Sequence, residues 1–381
     1  MKIVNISLTG TITKGYMYQD NLLPKYQKIL GNEVCVITNL YFNDDKGVKH
    51  KVSDDVFIDY DRGVKIIRIP NKFGTTIKSK FKKYINFIPI LEQENPDIIF
   101  LHGLQFIDSM QVLRYVKKHR NVTLYVDNHA DLENSAHSWI SKNILHRIVW
   151  RSYAKKLNPY VKKFYGVTPA RVLFLTSMYM LPKEKCELLV MGVDDETVNA
   201  IDIESERKRK RKSYGLMEDD FVLVTGGKIN LNRPETIRLM KVVNGLKDSK
   251  IKLLIFGSVA DSLRNSFNVE LTDKVKFVGW KSSCEIFKEF ACGDLVVFPG
   301  LHSVLWEQAV GMGMPCLFRK IKGFEHIDLG GNCEFLDEMT DESIASKILI
   351  CKNNIKTMRE NAQIKKACFS YKEIAKRSVE I

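Results

Sequence analysis

The chain has 381 residues, 45% hydrophobic and 27% charged, a globular composition long enough for two domains. Its 59 Lys/Arg against 45 Asp/Glu leave a net charge of +14. No run of about 18 apolar residues occurs and the first residues lack a leader's cleavage site, so a spanning helix is excluded and a cytoplasmic location is expected.

In chain order, Lys2–Leu8 reads as a buried parallel strand, followed by a polar loop and a helix near Asp20–Leu30. Glu33–Thr38, Asp97–Leu101 and Thr123–Asp127 are further apolar strands, the last two separated by the amphipathic segment 105–119. Arg171–Thr176 and Leu188–Val190 read as strands closing the first half. The second half repeats the rhythm with Phe221–Thr225, Lys252–Phe256, Val275–Val278, Leu295–Phe298 and Cys316–Phe318. Strand alternating with helix predicts two doubly wound parallel α/β domains, 1–194 and 195–365, facing across a cleft. The join falls near Asp194–Ser213, and a terminal helix at 366–381 is expected to pack back on the first domain. Ligands of such sheets bind at the carboxyl ends of strands, which directs attention to the loops there.

Charge is uneven. The first 195 residues carry 29 Lys/Arg against 19 Asp/Glu, and two stretches, 62–91 with eight bases and 134–183 with nine, contain no acid. Aromatic and aliphatic residues interleave both, as in a solvated basic face or one resting on an anionic bilayer. No helix-turn-helix, zinc-finger or RNP pattern supports nucleic acid as a partner. The run Arg207–Lys212 reads as the exposed start of a helix. Eight scattered cysteines without a C-x-x-C read as small buried hydrophobes rather than zinc ligands or disulfides. Asp59-Tyr60-Asp61 is a D-x-D, read here as a turn.

Two loops carry chemistry. Thr225-Gly226-Gly227-Lys228-Ile229-Asn230-Leu231-Asn232-Arg233-Pro234 follows a strand, with glycines for close backbone approach and two cations. Phe298-Pro299-Gly300-Leu301-His302-Ser303-Val304-Leu305-Trp306-Glu307 ends a strand and opens a helix. There Ser303 is the expected cap, and free N–H groups suit an anion. Glu307 stands among apolar neighbours, so it needs hydrogen-bond donors.

Together these loops resemble the nucleotide-sugar site of family-4 retaining glycosyltransferases, which have the GT-B fold. The family's Gly-Arg-Leu-x-x-x-Lys-Gly is matched by Gly227, Lys228, Ile229, Arg233 and Pro234, with the two cations exchanged. The likeness continues through Ile255-Phe256-Gly257, Phe277-Val278-Gly279-Trp280, Ala291-Cys292-Gly293-Asp294 and Glu307-Gln308-Ala309-Val310-Gly311-Met312-Gly313-Met314-Pro315. Upstream, Met191-Gly192-Val193-Asp194 resembles the segment closing the family's first domain. The family flanks the last donor loop with a pair of glutamates. Glu307 matches the second, but Pro299 stands where the first would fall.

The resemblance implies a metal-independent enzyme without a cofactor, moving a sugar with retention from a nucleotide-sugar, a UDP-sugar before a GDP-sugar. Lys228 and Arg233 would stabilise the departing diphosphate. Gly226, Gly227, Trp280, His302, Ser303, Val304 and Glu307 would line the donor. Tyr125-Val126-Asp127-Asn128-His129-Ala130-Asp131 resembles the strand ending in the family's active-site histidine. His129 is thus a catalytic candidate that would orient the transferred sugar, and since the stretch Thr9–Gly15 resembles the family's acceptor-side loop, Gly15 and Asp131 are candidates on that side. The implied acceptor is a glycan or lipid-diphosphate-linked glycan of bacterial surface-polysaccharide synthesis, with peripheral contact to an anionic membrane. A nucleotide-sugar 2-epimerase and a non-catalytic sugar-nucleotide-binding subunit remain open on the same fold.

Overall fold

The computed structural model describes residues 1–44, 48–73, 82–231 and 234–380, which fall into two compact units, Met1–Met191 with the chain from Tyr371 onward, and Gly192–Ser370. The strands of the first are β1 (Lys2–Ser7), β2 (Glu33–Asn39), β3 (Tyr41–Asn43), β4 (Lys49–Lys51), β5 (Phe57–Asp61), β6 (Val64–Ile69), β7 (Ile98–His102), β8 (Thr123–Asn128), β9 (Val161–Gly166) and β10 (Cys186–Leu188). Eight of them form one sheet in the order β10-β9-β8-β7-β1-β2-β6-β5, while β3 and β4 make a separate antiparallel pair. Within the large sheet only β5 runs antiparallel, forming a hairpin with β6. β1 and β7 lie side by side, and their following helices wind to opposite sides of the order, so their carboxyl ends mark a switch point. β7 is buried along its whole length, as a central parallel strand covered on both faces must be.

The second unit contains β11 (Phe221–Ile229), β12 (Ile251–Val259), β13 (Val275–Phe277), β14 (Leu295–Phe298), β15 (Cys316–Arg319) and β16 (Cys333–Leu336). They form an all-parallel sheet in the order β13-β12-β11-β14-β15-β16, with its switch point between β11 and β14. Aliphatic side chains from these strands and from the helices Glu235–Gly245 and Asp341–Lys365 fill one core.

Several expectations are corrected. Residues 171–176 are not a strand: Thr168 caps the helix Pro169–Ser177 by accepting from the Arg171 N–H, with proline at its first position. The strand there is β9. Arg207–Lys212 closes the helix Ile203–Ser213 rather than opening it, and two of its cations are buried. Arg211 and Arg207 pair with Asp294 at 2.7 and 2.6 Å, and Lys210 pairs with Glu289, tying the helix to the Ser283–Cys292 helix and to β14. Asp59 and Asp61 lie on β5, where Lys14 pairs with Asp59, and Asp61 accepts from the Gly15 N–H and the Asn21 amide. Cys284 and Cys368 are exposed, unlike the other six cysteines.

After the second unit the chain returns to the first through the helix Tyr371–Ser378. Tyr371 stacks on Tyr26, Ser378 accepts from Gln27 at 3.2 Å, and Arg377 donates to the Leu188 carbonyl.

Candidate functional site

In the second unit the switch point brings the end of β11 beside the end of β14. Gly226, Gly227 and Lys228 are not a loop but the last turns of the pleat in β11, paired residue for residue with Phe256, Gly257 and Ser258. The glycines serve this pairing. A methyl group at Gly226 would lie 2.5 Å from the Phe256 ring, and one at Gly257, whose φ is +124°, would lie 2.0 Å from the Gly227 carbonyl oxygen. Lys228 is exposed, and no hydrogen bond or ion pair engages its ammonium among the described residues. Arg233 lies outside the described residues. Trp280 is half-exposed just beyond β13, in the segment anchored by the Gly257 N–H donating to the Gly279 carbonyl at 2.9 Å.

The β14 loop leads into a helix of only seven residues, Leu305–Gly311, so its dipole is small. Ser303 does not cap it with its hydroxyl. Val304 occupies the cap position, and the Ser303 and Val304 carbonyls accept from the N–H groups of Trp306 and Gln308. Glu307 is fully buried. Its Oε1 meets Nε2 of His302 at 2.7 Å and Nε2 of His326 at 3.0 Å, while Oε2 is buried without a partner among the described residues. Burial alone would raise this carboxyl, but the imidazoles of His302 and His326 outweigh it and hold Glu307 well below the usual carboxylate range. Trp306 stacks on Phe318 beneath the His302 ring, fixing the loop. A second carboxylate sits at the same end of the sheet. Glu235 pairs with Arg319 at 3.2 Å through Oε1, and its Oε2, buried without a partner among the described residues, lies where a methyl group on Gly300 would be 3.4 Å away.

In the first unit, the ends of β7 and β8 carry a buried polar chain. Asp127 accepts from His102 Nδ1 at 3.0 Å, the Gly103 N–H at 2.9 Å and Gln19 at 3.1 Å; His129 Nε2 stands 3.3 Å away. The protonation of His102 follows from its neighbours. Ser378 spends its hydroxyl proton on the Ala375 carbonyl, so it accepts from Gln27, whose Oε1 accepts from Asn5. The Asn5 oxygen then faces His102 Nε2 at 3.2 Å, while Nδ1 faces Asp127 and, at 3.2 Å, Asp20. Both ring nitrogens must donate, which makes His102 an imidazolium. Burial opposes that charge, but Asp127 and Asp20 outweigh it and raise the pKa of His102. The same pairing, with His129, lowers Asp127 against the upward push of its burial.

His129 is the outermost group of this chain, its side chain 40% exposed. Asp131 is different: Arg171 pairs with it at 3.1 Å and the N–H groups of Glu133 and Asn134 occupy its other oxygen, so it shapes the turn after β8. Gly15 lies at the surface, its carbonyl accepting from Arg62. The structure thus groups Lys228, His302, Ser303, Val304 and Glu307 around one switch point and places His129 by another. His102, Asp127, His326 and Glu235 escape the sequence reading, although His102 and Asp127 end apolar strand runs, a signal that would have found them. Among the described residues no three His, Cys, Asp or Glu side chains are placed to hold a metal ion together.

No family model matches the sequence, and no curated protein is similar to it. Solved structures are similar over the full length. WaaG, a glycosyltransferase involved in lipopolysaccharide biosynthesis, aligns with a TM-score of 0.67 at 16% identity over 100% of both chains. HepE from Anabaena, solved in complex with UDP, aligns with a TM-score of 0.68 at 14% identity over 99% of this chain and 98% of the other. The UDP-GlcNAc 2-epimerase of Neisseria meningitidis, bound to UDP-GlcNAc, aligns at 0.62 and 12% identity over 99% and 98%. Identities this low speak for architecture, and the architecture is that of the GT-B glycosyltransferases.

Proposed function

We propose that this chain is a retaining glycosyltransferase that takes its sugar from a nucleotide-sugar, a UDP-sugar in the first instance. The observation carrying the reading is the buried Glu307, held by His302 and His326 at the switch point of a parallel sheet in a GT-B fold. Its Oε2, without a partner among the described residues, is the acceptor that a ribose hydroxyl would satisfy. Lys228, exposed at the end of β11, supplies positive charge to the departing diphosphate, and Arg233 adds a second cation. Glu235 takes the part of the carboxylate missing at Pro299, receiving hydroxyls of the donor sugar.

The acceptor hydroxyl attacks the anomeric carbon on the face from which the diphosphate leaves, and the leaving phosphate takes its proton. No protein nucleophile is needed. The first unit holds the acceptor, a glycan or lipid-linked glycan of a bacterial surface polysaccharide, and His129, steadied by Asp127, orients the transferred sugar.

The test is UDP release from a panel of UDP-sugars with and without lipid-linked glycan acceptors, with the anomeric configuration of the product read by NMR. Acceptor-dependent release with retention is expected, and Glu235→Gln should raise KM for the donor sugar more than for UDP as inhibitor. Conversion of the donor without any acceptor would establish the 2-epimerase reading instead, and binding without turnover a binding subunit.

A further inference from the structure

The helix Tyr371–Ser378, which returns the chain to the first unit, starts a line of buried hydrogen bonds that ends at His129. Ser378, Gln27, Asn5, His102 and Asp127 are each no more than 1% exposed, and Ser378 and Gln27 meet across 351 positions of sequence. Each link admits one direction. The Ser378 hydroxyl donates to the Ala375 carbonyl at 2.8 Å, so its oxygen is left to accept, and the Gln27 amide turns its NH2 towards it. The Gln27 oxygen then accepts from the Asn5 NH2 at 2.8 Å, which leaves the Asn5 oxygen facing His102 Nε2 at 3.2 Å. Among the described residues the acids facing His102 are Asp127 on β8 and Asp20 on the helix Gln19–Ile29, and its ring packs on Phe100.

The terminal helix is held in place by other bonds. Tyr165 donates to the Arg377 carbonyl at 3.0 Å, Tyr125 and Lys162 donate to the Glu380 carbonyl, and Arg377 donates to the Leu188 carbonyl. Losing the Ser378 hydroxyl therefore leaves the helix docked and alters the direction of the line. With alanine there, the buried Gln27 NH2 has lost its acceptor, and an orphaned buried N–H is rarer in proteins than an under-satisfied carbonyl. Both amides then turn over: Gln27 donates to the Asn5 oxygen, and the Asn5 NH2 points at His102 Nε2. An imidazole nitrogen facing a donor must accept, so His102 becomes neutral and keeps one proton, on Nδ1, for Asp127 and Asp20. The charge of Asp127 is then answered by His129 alone among the imidazoles it meets.

We infer that Ser378 and Gln27 are positioning residues for His129. By fixing the Asn5 amide they place a full positive charge on His102, which engages the Asp127 carboxylate and so sets the protonation and orientation of His129. The consequence for sugar transfer rests on the glycosyltransferase reading; the charge of His102 does not.

The test is the nitrogen-15 spectrum of histidine-labelled full chain across about pH 5–9, with the two signals identified by their loss in His102→Gln and His129→Gln. Wild type should show His102 with both ring nitrogens protonated at neutral pH. Ser378→Ala should lower the His102 titration midpoint by about one pH unit, a tenfold weaker hold on the proton, and move the His129 signals with it. Gln27→Met, which frees the Asn5 amide from the same restraint, should give the same two shifts. In transfer assays kcat of Ser378→Ala should fall about tenfold while KM for the donor holds. Asn5→Asp added to Ser378→Ala supplies an acceptor that cannot turn over, and should return both histidines to their wild-type forms. A neutral His102 in the wild type at neutral pH, titration unchanged in Ser378→Ala, or a shift that Asn5→Asp does not reverse would overturn the inference. So would loss of the His102 charge with the His129 signals unmoved. A wild type inactive with every donor and acceptor would sink the transferase reading, while the spectra would still decide the relay.

Discussion

Replacing Asp127 with asparagine tests the buried chain beside His129 most sharply. The carboxylate is the main counter-charge of a buried imidazolium, with Asp20 the other acid in contact among the described residues, and it accepts from His102, Gly103 and Gln19. The amide keeps the shape but leaves the His102 charge largely uncompensated, a change that costs about 3–5 kcal/mol for buried pairs. In a unit of about 200 residues, each kcal/mol moves the midpoint by about 2–4 °C, so the first unit should melt about 10 °C or more below wild type. The pH dependence supplies a second reading. The pKa of His102 is raised by folding, so its contribution is complete below its unfolded pKa near 6.5 and is lost as pH climbs through the folded value. Asp127 is lowered, so its share is present above about pH 4 and lost as pH falls towards its folded value. Calorimetry of both proteins across this range is the assay. A variant within about 1 kcal/mol of wild type, with the same decline on the alkaline side, would refute the ion pair and the protonation assigned to His102.

Two further outcomes follow from the second unit. Lys228→Ala removes an exposed ammonium without packing consequences, so stability should hold while kcat/KM for transfer falls about a hundredfold. Gly257→Ala forces a methyl group to 2.0 Å from the Gly227 carbonyl at a φ of +124°. It should cost about 3 kcal/mol or more and lower the melting temperature of that unit, as measured by thermal unfolding.

How much of this was legible in the sequence depends on how far apart the interacting residues lie. β1, β7, β8, β12 and β14 announce themselves as short apolar runs, because central parallel strands are buried on both faces. β9 hides behind Lys162 and Lys163 at its outer positions, and β16 carries a charged Glu334 and is only half-buried at its two middle positions. Residues 171–176 look like a strand by composition, and the cap Thr168 with Pro169 outweighs that preference. β11 runs on through Gly226 and Gly227 because the facing Gly257 leaves room for the pairing, a fact that involves a strand 30 residues away. At the site, the β14 loop and Glu307 are readable as a local pattern. The partner His326 is separated by 19 positions and His102 from Asp127 by 25, distances at which only the fold brings side chains together.

The central claim is a nucleotide-sugar site around Glu307, and ligand-induced thermal stabilisation tests it most directly. Wild type and Glu307→Gln would each be melted with and without UDP, GDP and ADP, each shift referred to the same protein without ligand. At a hundredfold excess over Kd, UDP should add about 2.7 kcal/mol, about 5–10 °C for a unit of about 180 residues. That shift should vanish in Glu307→Gln and be smaller for GDP and ADP. Wild type melting at one temperature with and without each nucleotide, or an undiminished UDP shift in the variant, would contradict the account.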